Sequence, residues 1–294
     1  MLLTIKEIIR LMRVRQYIKN AFVLIGIVFA RQWDPDTLFS AGLAFLSFCA
    51  ISSAVYTLND LLDVEADRQH PVKKFRPIAS GAITTKTALI LAVVLVVCSI
   101  SIASLVNPLV VFFVSTYACL NIAYSWRLKH IPILDVFVIS TGFMLRLLTG
   151  TAGLDITPSS WLLLCSLMLT LFLGFTKRRA ELLTLENLDQ DNLTQTRRVL
   201  DQYTSDAIEQ FIAISAACTI LSYSLYTVSS ETIEKHGSSY LIYTVPFVIY
   251  GIYRYILMLH MKEKGHDAAH DLYTDPHLIV TVIAWLTATL AILA

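Results

Sequence analysis

The chain has 294 residues, 56% of them hydrophobic and only 15% charged, with a formal net charge of +1. Soluble domains carry about 25% charged residues, so this composition excludes one and indicates a polytopic membrane protein. The near-zero net charge says nothing about partners, because the charges are segregated along the chain; a membrane and no nucleic acid is the expectation. The five cysteines (Cys49, Cys98, Cys119, Cys165 and Cys218) all lie in apolar runs without ligand spacing, which excludes disulfides and structural zinc.

From the N-terminus, residues 3–17 are amphipathic and basic, so residues 1–19 are expected to lie along the membrane interface. They are no signal peptide, since basic residues continue through Lys19 and no cleavage site follows a short apolar core. Hydropathy then predicts about nine spans: 20–32, 38–60, 86–106, 108–126, 132–153, 159–177, 207–229, 239–260 and 276–294. The fold class is an all-α bundle of transmembrane helices around a cytoplasm-facing polar cavity, in one domain over residues 1–294.

Lys and Arg decide the orientation. Lys6, Arg10, Arg13, Arg15 and Lys19 precede the first span. Arg68, Lys73, Lys74, Arg76 and Lys86 follow the second; Arg127 and Lys129 follow the fourth. Lys177, Arg178, Arg179, Arg197 and Arg198 follow the sixth, and Lys262 and Lys264 the eighth. The opposite side has Arg31 and Lys235, a bias of nineteen to two. The N-terminus and the loops after even-numbered spans are therefore expected in the cytoplasm.

The second span ends in Asn59-Asp60-Leu61-Leu62-Asp63-Val64-Glu65-Ala66-Asp67. At 100° per residue Asp60, Asp63 and Asp67 fall within about 60° of one another on a helix, while Glu65 points away. Three carboxylates on one stripe with no built-in counter-ion repel each other unless a cation joins them. Oxygen donors of this kind suit Mg²⁺, which binds through one or two carboxylates plus a substrate's phosphates. Asn59, Asp60, Asp63 and Asp67 are thus the candidate metal ligands, with Mn²⁺ as an acceptable substitute.

The next loop, His70-Pro71-Val72-Lys73-Lys74-Phe75-Arg76-Pro77-Ile78-Ala79-Ser80-Gly81, is stopped by Pro71 and offers three cations to phosphate. A second group holds Tyr124-Ser125, Lys129, Asp135 and Arg146. Asp135 and Arg146 share a face of the fifth span but lie about 16 Å apart along it, too far to pair. Arg146, an intramembrane cation, is open to two readings, a ligand phosphate or an interhelical bridge. A third group, Thr176-Lys177-Arg178-Arg179-Ala180-Glu181, could pair Lys177 with Glu181 at i, i+4 or present Lys177 to an anion. Tyr203-Thr204 and Asp206 could cap the seventh span or meet a sugar; Asp271 and Asp275 read as caps.

These residues together resemble the UbiA-type intramembrane prenyltransferase superfamily. Within it, the branch most similar is that of the decaprenyl-phosphate phosphoribosyltransferases (5-phosphoribosyl-monophospho-polyprenol synthases). The likeness runs from Arg15-Gln16-Tyr17-Ile18-Lys19-Asn20 to at least Glu181, and more weakly through Asp275. Asn59-Asp60-x-x-Asp63-x-x-x-Asp67 is the superfamily's motif. The Lys73–Gly81 loop, Tyr124-Ser125, Leu134-Asp135, Gly142-Phe143-x-Leu145-Arg146 and Lys177-Arg178-x-Ala180-Glu181 look like the phosphoribosyltransferase branch.

Aromatic prenyltransferases of the superfamily carry a second Asp-rich motif where this chain has Lys177-Arg178-Arg179-Ala180-Glu181, and Asp189 and Asp191 lack its context. The resemblance implies Mg²⁺-dependent transfer of the 5-phosphoribosyl group from phosphoribosyl diphosphate to a polyprenyl monophosphate, for cell-envelope polysaccharide precursors. It implies Asp60, Asp63 and Asp67 as catalytic. The implied substrate-binding residues are Asn59, Lys19, Lys73, Lys74, Arg76, Tyr124, Lys129, Asp135, Arg146, Lys177, Arg178, Glu181 and Tyr203. The place is the inner (cytoplasmic) membrane, active site inward, and a homo-oligomer is left open. The rivals are a prenyl diphosphate:aromatic acceptor transferase and a non-enzymatic lipid-phosphate or ion-coupled transporter. The acidic stripe at a membrane rim, rather than mid-span, argues against transport.

Overall fold

The computed structural model describes residues 2–30, 32–69, 72–186, 202–261 and 274–293. Arg31, His70, Pro71, Asp189, Asp191, Arg197, Arg198, Lys262, Lys264 and Asp271 lie outside the described residues. In chain order the helices are α1 (Leu2–Leu11), α2 (Ile25–Ala30), α3 (Pro35–Leu62), α4 (Val64–Gln69), α5 (Thr85–Ser104) and α6 (Pro108–Trp126). They continue as α7 (Leu134–Thr149), α8 (Ser160–Glu186), α9 (Ser205–Val228), α10 (Ser230–His236), α11 (Val245–Met261) and α12 (Pro276–Leu293).

Small polar residues decide where these helices start. Asp34 accepts the Thr37 amide ahead of α3, whose first residue is Pro35. Thr84 caps α5 through Thr87, Asn107 caps α6 through Leu109, and Thr204 caps α9 through Ala207. Asp275 accepts the Leu278 amide at the start of α12, as expected of a cap. The guanidinium of Arg254, bonded to both its carboxylate oxygens, holds the Asp275 pKa down to about 2.

Among the described residues eight helical stretches are long and apolar enough to cross a membrane, starting with α3 and ending with α12. They match the predicted spans from residue 38 onward. The protein is an all-α, multi-pass membrane protein. The segment predicted as the first span is built otherwise. A 3₁₀ stretch, Val14–Leu24, leads into the six-residue α2. Side chains tie that stretch to α3: Tyr17 Oη lies 2.9 Å from Ser53 Oγ, and Asn20 Nδ2 donates to Ser52 Oγ at 3.1 Å. Contacts of this segment run down α3 from Asp60, met by Arg13, through Ser53 and Ser52 to Ala41, which packs with Ile27, so the segment lies antiparallel along most of that helix.

The chain divides into two compact units. One comprises Met1–Leu128 and Leu145–Thr157; the other comprises Lys129–Met144 and Pro158–Ala294. In the first, α5 packs on α3 through a stripe of mostly small buried residues, Ala88, Ala92, Leu95, Ser99 and Ala103. Without a hydrophobic force between helices in lipid, such stripes let backbones approach and bond. Ser47 and Ser99 do so reciprocally, each hydroxyl donating to the other's carbonyl at 3.0 and 2.9 Å. The apolar core there includes Val23, Phe48, Ile51, Val110, Phe113 and Tyr117. In the second unit α8 and α9 pack together over Val136, Phe172, Phe175, Ile208, Ile212 and Tyr255.

Backbones of the first unit approach closely at Gly26 and Gly150. A Cβ on Gly150 would collide with the Val23 carbonyl, and one on Gly26 with the Gly150 carbonyl. Neither neighbour is a side chain that can swing aside. Gly150→Ala is therefore expected to lower the thermal unfolding temperature of the detergent-purified protein by several degrees, whereas Gly42→Ala, with open space around it, should leave it within about a degree.

Candidate active site

The acidic stripe is built by a helix that breaks without losing register. α3 ends at Leu62 and Asp63 is its C-cap, yet Asp63 N donates to Asn59 O at 3.0 Å and Asp67 N to Asp63 O at 2.8 Å. The i→i−4 ladder thus continues across the break, and Asp60 and Asp67 stay on one side. Both are buried, 3% and 2% exposed. Glu65, by contrast, is 79% exposed and paired with Arg68 one turn on, as its predicted outward heading requires.

The expectation that the stripe lacks a counter-ion is corrected by the structure. Arg13 Nη2 donates to Asp60 Oδ1 at 2.6 Å. Arg76 Nη1 donates to the same oxygen at 3.0 Å and to Asp67 Oδ2 at 2.7 Å. The physical reason is burial: a carboxylate withdrawn from water must find a charge partner, and two arginines from distant loops supply it. Arg13 was legible in the sequence only as one more basic residue. It sits in the left-handed region (φ 53), at the junction of α1 and the 3₁₀ stretch, and its guanidinium lies 4.9 Å from the Tyr56 ring centre.

Among the described residues no three acids, histidines or cysteines converge closely enough to hold a metal unaided. What is present fits a metal that arrives with phosphate ligands of its own: buried hard-oxygen donors of Asp60 and Asp67, already gathered around one cation. Asn59 stands beside them, its Oδ1 fixed by the Ser125 hydroxyl at 2.6 Å.

The basic loop is held by its apolar members. Ile78 is buried in a small core with Leu11, Ile83 and Ala88. Gly81 takes φ 79, a left-handed turn that suits glycine, and its amide closes on Ile78 O. Lys73 and Lys74 lie on a 3₁₀ turn, Lys73–Phe75, with Lys74 Nζ 5.3 Å from the Phe75 ring centre. Arg76, the next residue, reaches back to the acids. Lys19 is half-buried and donates to Gln16; Tyr124 is half-buried near the end of α6.

Arg146 is buried deep in the first unit. Its Nε donates to Asn20 Oδ1 at 2.8 Å and its Nη2 to Tyr117 Oη at 3.1 Å. Its guanidinium lies 5.0 and 4.7 Å from the ring centres of Phe48 and Tyr117. Contacts to α3, α6 and the 3₁₀ stretch at once match the interhelical-bridge alternative. Asn20 and Tyr117 are the partners that sequence reasoning did not single out, although Asn20 closes the Arg15–Asn20 stretch.

The second unit gathers Asp135, Arg178, Glu181 and Tyr203. Arg178 and Asp135 are both 0% exposed, and Arg178 Nε donates to Asp135 Oδ2 at 2.6 Å. Tyr203 Oη donates to Asp135 Oδ1 at 2.8 Å and accepts the Ile133 amide, whose residue has φ 66. Burial, and then the Asp135 carboxylate, push the Tyr203 hydroxyl above its ordinary pKa, so it remains a donor. Glu181 takes Arg178 as its ion-pair partner at i, i+3, and Arg179 meets Glu209 at 3.1 Å. Lys177 is half-buried on α8, and Lys129 is half-buried on the 3₁₀ turn Leu128–His130.

The match to known proteins is long. The model of the UbiA prenyltransferase family matches residues 20–274. The chain belongs to this family. It is 33% identical over 286 residues, 95% of this chain and 84% of the relative, to the decaprenyl-phosphate phosphoribosyltransferase of Corynebacterium glutamicum. It is 34% identical over 294 residues, 96% of this chain and 91% of the relative, to that of Mycolicibacterium smegmatis. Its fold is that of a solved UbiA homolog from Archaeoglobus fulgidus bound to GPP and Mg²⁺, with TM-score 0.71 and 18% identity over 98% of this chain and 99% of that one.

The second-unit pair makes a direct test of what buried charge contributes. Arg178→Met alone strands the buried Asp135 carboxylate and should destabilise by about 3–5 kcal/mol, whereas Asp135→Asn should cost less because Arg178 keeps Glu181. The double variant should recover most of that loss in thermal unfolding, because neither desolvated charge remains.

Proposed function

We propose that the chain transfers the 5-phosphoribosyl group of phosphoribosyl diphosphate to a polyprenyl monophosphate, releasing diphosphate. The observation that carries this reading is the alignment, about one residue in three over nearly the whole chain, with decaprenyl-phosphate phosphoribosyltransferases. The acidic stripe supports it, since buried Asp60 and Asp67 already gather around one cation.

In this reading Asp60 and Asp67, with Asp63 and Asn59, hold Mg²⁺ and the donor's diphosphate. The metal, when bound, neutralises charge on the leaving diphosphate. An oxygen of the lipid phosphate forms a bond to the anomeric carbon as the bond from that carbon to the diphosphate oxygen breaks. That oxygen is already anionic, so no strong base is required; the protein's contribution is position and neutralisation. Ser125 orients Asn59 for this task. Arg76 stands beside the acids as a diphosphate ligand. Lys19, Lys73, Lys74, Lys129 and Lys177 are assigned to substrate phosphates on the resemblance alone. The charge bias supports an inner-membrane placement with the acidic stripe facing the cytoplasm.

The deciding assay combines purified protein, Mg²⁺, ribose-labelled phosphoribosyl diphosphate and a polyprenyl phosphate, followed by lipid extraction. Label should enter the lipid phase and vanish in excess chelator. Asp60→Asn and Asp67→Asn should each lose at least about a hundredfold in turnover, and Glu65→Gln less than twofold. Prenylation of an aromatic acid from a prenyl diphosphate, with no label in lipid, would favour the rival enzyme.

Orientation is tested separately with single cysteines at Ser80 and Ser230 in a cysteine-free background. In intact spheroplasts an impermeant thiol reagent should modify the Ser230 site and spare the Ser80 site. The opposite pattern would remove the stripe from the cytoplasm.

A further inference from the structure

Arg76 occupies an unusual place. A single nitrogen, Nη1, donates to one carboxylate from the end of α3 and one from α4, Asp60 Oδ1 at 3.0 Å and Asp67 Oδ2 at 2.7 Å. A positive atom bridging two buried carboxylates is what a divalent ion at this stripe would be. Mg²⁺ takes oxygens at about 2.0–2.1 Å, shorter than either hydrogen bond, so an ion there would draw in the same two oxygens that now grip the guanidinium. The two cations cannot share the position. Two unit charges about 4 Å apart already repel by several kcal/mol near a protein surface, and one of these is doubled. Arg76 has room to leave: it follows a short 3₁₀ turn, and its side chain is 28% exposed while the acids are 3%. Arg13 differs, since its bond to the stripe is to Asp60 and its guanidinium lies over Tyr56.

We propose that Arg76 is a placeholder cation. It neutralises Asp60 and Asp67 until a divalent ion arrives with a diphosphate, then is displaced from the acids and closes its planar fork on the diphosphate oxygens. This deepens the metal reading given above and rests on it. Its consequence is a binding order. The bare ion must evict Arg76 with nothing to receive the guanidinium, so it binds weakly; the ion with diphosphate supplies that acceptor, so it binds well.

The test is Mn²⁺ binding to the detergent-purified full chain, read as loss of the free-ion paramagnetic resonance signal, with and without inorganic diphosphate. Without diphosphate, Arg76→Gln should bind Mn²⁺ about tenfold more tightly than the unaltered protein, because a competing charge is gone. Arg13→Gln should gain less, and Glu65→Gln nothing. Diphosphate should tighten Mn²⁺ binding strongly in the unaltered protein and little in Arg76→Gln. Should Arg76→Gln fail to fold, Arg76→Lys serves: it keeps a competing charge and loses the fork, so bare Mn²⁺ affinity should stay near the original while the diphosphate effect shrinks. Bare Mn²⁺ affinity unchanged or weakened in Arg76→Gln, or an undiminished diphosphate effect in Arg76→Lys, overturns the placeholder role. If Mn²⁺ binding is lost in Asp60→Asn in either of those cases, the metal reading survives it. Absence of Mn²⁺ binding in every protein, with diphosphate present, sinks both.

Discussion

A carboxylate cannot be left alone in an apolar bundle, and much of this molecule is arranged around that constraint. Stranding an ion away from water costs several kcal/mol, more than most single contacts return. In the first unit Asp60 and Asp67 are buried and two arginines come to them, one from before α3 and one from after α4. In the second unit Asp135 is fully buried and takes Arg178 and Tyr203. Each arrangement fixes loops that have little other reason to adopt one shape. The 3₁₀ stretch, the turn at Arg76 and the turn at Ile133 are held by polar bonds to these acids or beside them.

The two arrangements differ in what they leave for chemistry. Around Asp60 the cations are a quarter exposed, and the bonds come from flexible side chains on short turns. Around Asp135 both members of the ion pair are shut away from solvent. A half-open pair can be exchanged for a ligand, whereas a sealed one holds helices in place. The contrast bears on the cationic run Lys177-Arg178-Arg179, since Arg178 and Arg179 meet acids within the protein.

Features set by local periodicity were legible in the sequence. Apolar runs placed the spans from α3 onward to within a few residues, helical spacing put Glu65 outside the stripe, and Asp275 and Thr204 cap as their positions suggested. Features set by contacts between distant residues were not. Arg13 and Asp60 are 47 residues apart, and Arg146 and Asn20 are 126 apart. No periodicity connects such pairs. Even at short range the spacing was not sufficient: Lys177 was the residue expected to meet Glu181, and Arg178, pinned by Asp135, also reaches it. Hydropathy marked the segment 20–32 as apolar, but its 3₁₀ winding and its polar contacts to α3 depend on partners some thirty residues away.

The left-handed backbone of Arg13 has a consequence for anyone improving this protein. For an ordinary side chain that conformation is disfavoured by roughly 1–2 kcal/mol, and glycine adopts it freely. Glycine at this position would relax the backbone but discard a guanidinium that meets a carboxylate only 3% exposed, and the second loss outweighs the first. The chain therefore tolerates a strained residue here because the ion pair it delivers is worth more than the strain. A backbone-guided search for stabilising glycines would be misdirected at position 13, which should be held fixed in any library.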